Sequence, residues 1–186
     1  LVRKVYYTDE QVDSCIHDII RQMIKDKWIP DYVVGLSRGG LIPAIKISHY
    51  FSIPMETLKV SLRNGNITES NCWMAEDAFG YIHSDERVKY GNARWDIGKR
   101  SKILIIDDIN DSGATFNWIK KDWQNSCLPQ ETDAWEKVWG ANVRFAALVE
   151  NAASEFETNY ATEIIDKSED DVWCIFPWEN WWKSAL

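Results

Sequence analysis

Cysteine is sparse in this 186-residue chain, and the four present (Cys15, Cys72, Cys127, Cys174) form no CxxC pair. That spacing excludes a zinc ribbon or a disulfide framework and predicts reduced thiols, as in a cytoplasmic protein. No apolar run approaches the ~18–20 residues of a membrane span. The N-terminal stretch has no apolar core of the signal-peptide kind, so no membrane partner is expected. Positive charge is also in short supply: 21 Lys and Arg against 29 Asp and Glu leave a net charge of −8. A chain of that sign is a poor ligand for a phosphate backbone, so no nucleic-acid partner is expected. There is no internal repeat and no low-complexity tract. Tryptophan is the abundant residue, with eleven in all, and Trp173, Trp178, Trp181 and Trp182 crowd the tail. The length suits one domain over residues 1–186 with a sizeable core.

Apolar periodicity divides the chain. Thr8 followed by Gln11 fits a capping box, and Val12, Cys15, Ile16, Ile19, Ile20, Met23 and Ile24 continue it at helical spacing. Residues 32–36 read as a core strand, 37–40 as a turn, 41–51 as a helix with Pro43 in its first turn, and 55–62 as a second strand. Residues 63–100 lose periodicity, which predicts a flexible functional lid or a partly disordered stretch. Residues 103–106 read as a strand and 113–125 as a helix. Residues 127–142 read as a connector carrying Trp135 and Trp139. Strands follow at 144–149 and 162–166, and residues 167–186 form a Trp-rich hood. Strands alternating with helices predict an α/β fold: a Rossmann-like, mainly parallel sheet flanked by helices.

Two segments carry chemistry. Ile103, Leu104, Ile105 and Ile106 suit a strand buried on both faces. Asp107 and Asp108 follow at its C-terminal end, then a small polar turn of Asp111, Ser112, Gly113, Ala114 and Thr115 leads into the helix. Ligands of open α/β sheets bind beyond the strand C-termini, and turn amides with a helix N-terminus make an anion cradle. The glycine spacing fits neither a Walker loop nor a dinucleotide fingerprint. The second segment, Val33 to Pro43, holds Ser37, Arg38, Gly39 and Gly40. Arginine offers forked donors to phosphate oxygens, and glycine lets backbone approach closely.

The first segment resembles the phosphoribosyl pyrophosphate motif of type I phosphoribosyltransferases. The second resembles the pyrophosphate loop of their purine branch, nearest in wording to the xanthine-guanine enzymes. In the tail, Asp171 to Trp178 resembles the base-side segment of the same enzymes. The resemblance implies transfer of ribose 5-phosphate from phosphoribosyl pyrophosphate to a purine base (guanine, xanthine or hypoxanthine) in purine salvage. It implies a donor site of Ser37, Arg38, Gly39, Asp107, Asp108, Asp111, Ser112, Gly113, Ala114 and Thr115, with Asp111 as the catalytic general base. Asp107 and Asp108 would hold the ribose hydroxyls and Mg2+, directly or through its waters. Trp173 would stack on the base, and the backbone around Cys174 would read its edge. A strained or cis peptide is expected at Ser37–Arg38, and a homo-oligomer, dimer or tetramer, is implied.

One departure bears on the base. The family places a Lys on the strand after the phosphate-loop helix, against the base O6. Here that stretch is Ala147 to Asn151 without a Lys, and Asn151, or else Glu150, takes the position. An Asn amide can donate to a 6-oxo group or accept from a 6-amino group. Two alternatives follow: a phosphoribosyltransferase for a different base, or a non-catalytic phosphoribosyl pyrophosphate-binding regulatory protein.

Overall fold

The computed structural model describes residues 2–61, 67–68 and 72–183. The chain opens with strand β1 (Arg3–Tyr6), helix α1 (Asp9–Lys25), β2 (Tyr32–Ser37), α2 (Leu41–Phe51), β3 (Met55–Ser61) and β4 (Ile67–Thr68). Helix α3 (Cys72–Phe79), β5 (Ile103–Asn110), α4 (Ala114–Ser126) and α5 (Thr132–Glu136) occupy the middle. Strands β6 (Val143–Asn151), β7 (Tyr160–Ile165) and β8 (Val172–Ile175) and the short helix α6 (Pro177–Asn180) complete it.

Six strands form the main sheet in the order β4-β3-β2-β5-β6-β7. All neighbours run parallel except the β3–β4 edge. The expected Rossmann-like α/β architecture is therefore present. Alternation along β5 shows why its apolar run is unbroken. Ile103 and Ile105 enter one core with α3, α4 and α5, while Leu104 and Ile106 enter the other with α1 and α2. A central parallel strand has no solvent face, so both sets of side chains must be apolar.

Helix α1 begins as its sequence indicates: Thr8 Oγ1 accepts from Gln11 N at 3.2 Å, and Thr8 N donates to Gln11 Oε1 at 2.8 Å. Its buried stripe of Val12, Cys15, Ile16, Ile19, Ile20 and Met23 packs on the sheet.

The structure adds one element to the sequence reading and alters two. Strand β1, with too few residues to show a period, pairs in parallel with β8, so the two ends of the chain make a separate two-stranded sheet. Residues 72–82 belong to the body of the fold, with Met74, Ala75, Ala78, Phe79 and Ile82 buried, while the following stretch, with 3-10 turns at Arg87–Tyr90 and Ile97–Lys99, buries no residue. The broad lid expected over 63–100 thus excludes residues 72–82, and residues 62–66 and 69–71 lie outside the described residues. The supposed connector 127–142 carries α5, whose Trp135 is fully buried and donates from Nε1 to the Cys127 carbonyl at 2.8 Å. All four cysteines are free. No described helix is long and apolar enough to cross a membrane.

Candidate active site

The parallel strands β2, β5 and β6 end at one edge of the sheet, in Ser37, Asn110 and Asn151. A cavity of about 270 Å³ opens there, lined by Ser37, Arg38 and Gly39 on one side and by residues 107–116 on the other. The two segments picked out from sequence are thus walls of one site. The Ser37–Arg38 peptide is cis, as expected. Gly39 lies against Asp108 so closely that a Cβ there would fall 1.9 Å from Asp108 Oδ2. Any larger residue at 39 would have to displace the Asp108 carboxylate.

Asp107 and Asp108 lie within β5 rather than beyond it, because the strand runs on to Asn110. Burial, then the charge of Asp108, holds the Asp107 carboxyl well above the usual carboxylate range. Burial pushes Asp108 up to about 6; hydrogen bonds from Asp107 and the Ile109 backbone oppose this, and the Glu179 charge of α6 adds to it. Two adjacent carboxyls in a low-dielectric wall repel one another, and a proton or a cation relieves them.

Gly113 adopts φ +82° and, as the N-cap of α4, brings no side chain to the first turn; Ala114 N makes a long contact of 3.4 Å with Ser112 Oγ, and residues 113–116 line the cavity. The turn is clamped from behind by the β6–β7 loop. Glu155 N donates to the Ser112 carbonyl at 3.1 Å, and Asn110 Nδ2 donates to the Phe156 carbonyl at 2.6 Å. A Cβ on Gly113 would meet Phe156 N at 2.6 Å. A helix N-terminus and a small polar turn held in place beside two carboxyls are suited to a phosphorylated, hydroxylated ligand.

The family model for the phosphoribosyl transferase domain matches residues 6–179. The chain belongs to that family. A xanthine-guanine phosphoribosyltransferase of Cereibacter sphaeroides is 25% identical over 149 residues, 79% of this chain and 68% of the relative. The solved xanthine-guanine-hypoxanthine phosphoribosyltransferase of Helicobacter pylori superposes with a TM-score of 0.65 at 16% identity, covering 98% of each chain. A purine phosphoribosyltransferase from Pyrococcus horikoshii gives 0.61 at 22% identity, over 94% of this chain and 93% of its own. At such identities the structural likeness speaks for the fold.

Within this phosphoribosyl transferase domain, Asp111 lines the cavity and lies at its β6 side. Asn151, expected to face a base, turns inward instead. Its Nδ2 donates to the Asp111 carbonyl at 3.0 Å and approaches Asp111 Oδ1 at 3.4 Å. Its Oδ1 accepts from Ala153 N at 3.2 Å and Lys167 N at 3.1 Å. These contacts engage both donors and both lone pairs of the amide within the protein. The alternative, Glu150, accepts from Thr158 N at 3.1 Å and is likewise engaged. Trp173 stands half-exposed on β8, outside the cavity's lining. In its neighbour Cys174, burial chiefly raises the thiol, a hydrogen bond with Tyr7 and the Lys167 charge lower it, and Glu163 and Asp111 raise it.

Lys167 is the residue sequence reading missed. Its Nζ lies 3.0 Å from Asp111 Oδ2. It sits two residues past β7 in a turn with no motif of its own. Only the pairing of Asn151 with Ile165 across β6 and β7 brings it to the site.

Proposed function

We propose that the protein transfers ribose 5-phosphate from phosphoribosyl pyrophosphate to a purine base, releasing pyrophosphate. The observation that carries this reading is the meeting of the 37–39 loop and the 107–115 turn on one cavity, with Gly39 packed against Asp108. The amides and hydroxyls of Ser112, Gly113, Ala114 and Thr115 receive the 5′-phosphate. Ser37, Arg38 and Gly39 receive the pyrophosphate, and Asp107 and Asp108 receive the ribose hydroxyls.

Magnesium fits these residues. Its usual protein share is one or two carboxylates, with substrate oxygens and water completing the shell. Asp107 and Asp108 supply that share, and among the described residues no Lys or Arg forms an ion pair with either. When bound, the ion would neutralise charge on the pyrophosphate and ribose oxygens.

In the transfer, the C1′–O bond to pyrophosphate breaks and its electron pair leaves with pyrophosphate. The base N9 lone pair forms the new bond to C1′, and the N7 proton passes to Asp111. Bond breaking leads, so positive charge develops on the ribose ring, as in related glycosyl transfers. The protein's part is positioning and fixed electrostatics. Trp173 and the Cys174 backbone flank the base. Exposed Trp181 and Trp182 on the tail suit the contact of a homo-oligomer.

A panel of guanine, xanthine, hypoxanthine, adenine and pyrimidines with phosphoribosyl pyrophosphate and magnesium tests the reading. Nucleotide 5′-monophosphate and pyrophosphate should form in equal amounts with a purine. Donor binding with no turnover of any base would replace it with the sensor reading.

A further inference from the structure

We propose that Tyr7 is a positioning residue for the acceptor base: its hydroxyl ties the tail to the main sheet and so fixes where Trp173 and Cys174 stand. This rests on the phosphoribosyl transfer reading above. Strand β8, which carries both residues, is four residues long and pairs, among the described strands, with β1 alone. A short two-stranded ladder is marginal by itself and needs packing against a larger body.

Tyr7, the residue after β1, supplies that connection. Its N–H donates to the Ile175 carbonyl at 2.9 Å, closing the end of the β1–β8 ladder. Its ring stacks on Phe176, with centroids 5.0 Å apart and planes 16° from parallel. Its hydroxyl donates to Glu163 Oε2 at 2.6 Å and shares a second hydrogen bond with the Cys174 thiol. Glu163 belongs to β7 and pairs with Val149 of β6, so this carboxylate is part of the main sheet. One phenol thus joins the tail, the thiol beside Trp173 and the sheet that carries the site.

Packing alone needs only the ring, and a phenylalanine would stack equally well. The oxygen adds the link across the two sheets. Burial, then the bond to Glu163, holds the Tyr7 hydroxyl well above the ordinary phenol range, so it remains a donor. An O–H bonded to a carboxylate is of the short, charge-assisted kind, and its direction is fixed. Tyr7 itself lies outside the cavity's lining, so it acts through its neighbours. Cys174, which it holds, feels the charges of Lys167 and Asp111, so the tail position it sets borders the Asp111 end of the cavity. The donor side is built on β2 and β5 and does not depend on this link. Small misplacements of a binding wall weaken binding of the group it faces.

The test is steady-state kinetics on the full chain, with saturating phosphoribosyl pyrophosphate and magnesium and the purine that the wild type turns over best. Tyr7→Phe keeps the ring and its stack and removes only the oxygen. It should raise the base KM by ~10-fold, the usual scale for losing a hydrogen bond to a charged group, with kcat and the magnesium-dependent donor Kd each within about twofold. Glu163→Gln keeps an acceptor for the phenol without its charge, so the base KM should rise less, by about threefold. The double variant should be no worse than Tyr7→Phe alone, because both changes act through one bond. A Tyr7→Phe variant with the wild-type base KM overturns the assignment and leaves phosphoribosyl transfer standing. So does a double variant in which the two effects multiply. Equal losses in donor binding, kcat and base KM mark Tyr7 as a general structural residue and also overturn it. If Tyr7→Phe fails to fold, the base KM of Glu163→Gln decides, and a value equal to the wild type overturns the assignment. Inertness of the wild type toward every base removes the parent reading with this one.

Discussion

Asp107 and Asp108 meet opposite demands in the free and the loaded protein. Both are held above the ordinary aspartate range, Asp108 at about 6, chiefly by burial. The free fold therefore keeps protons that the unfolded chain has already released between the ordinary aspartate value and about 6. Stability of the ligand-free protein falls as pH rises through that window, because the folded state binds more protons there. On the proposed reading, donor binding with magnesium needs the ionised pair, so its affinity should rise through the same window. Denaturant midpoints and calorimetric donor affinities, each measured at about pH 5 and pH 7, should move in opposite directions. A donor Kd that is flat across this range would remove the carboxylates from the ribose and metal site. The residues that carry this behaviour were legible, since two acids after a buried apolar run have few other uses. The partner of Asp111 was not: Lys167 is 56 positions away in sequence, and only β6–β7 pairing joins them.

At the scale of elements, long periodic segments were readable and short or irregular ones were not. The stripe of α1 and the two-faced run of β5 repeat often enough to fix their class. Strand β1 spans Arg3–Tyr6, too short to show an alternation. Helices α3 and α5 bury Phe79 and Trp135 among glycine-rich or charged neighbours, which hides their period. Asn151 stands at the end of β6, as its sequence position suggests, and its amide is engaged with Asp111, Ala153 and Lys167. Its position shows in sequence, while the direction of its amide depends on what β7 and the following turn bring beside it. That yields a stability expectation. Asn151→Ala would leave the Asp111 carbonyl and the Lys167 N–H without their partner, at a cost of about 1–3 kcal/mol. Urea unfolding should show this loss. Unchanged stability with altered base preference would return Asn151 to the base-reading role.

The whole molecule is two apolar cores on either face of one sheet, with the chemistry confined to the edge where β2, β5 and β6 end. Chain ends meet beside that edge: β1 pairs with β8, and Phe176 stacks between Tyr7 and Trp178. The donor side is thus made by the sheet itself, and the base side by the last two strands and the tail. This division explains why the donor was easier to read than the base. On the proposed reading, one contiguous segment and one loop encode the first, whereas the second draws on distant parts of the chain, Asp111 and the tail around Trp173 and Cys174. The central claim is that the 37–39 loop and the 107–115 turn hold one activated ribose phosphate. Calorimetric titration of phosphoribosyl pyrophosphate, with and without magnesium, into the wild type and into Asp107→Ala/Asp108→Ala tests it most directly. The account expects saturable 1:1 binding that needs magnesium and is lost in the double variant; absent binding to the wild type, or undiminished binding to the variant, would contradict it.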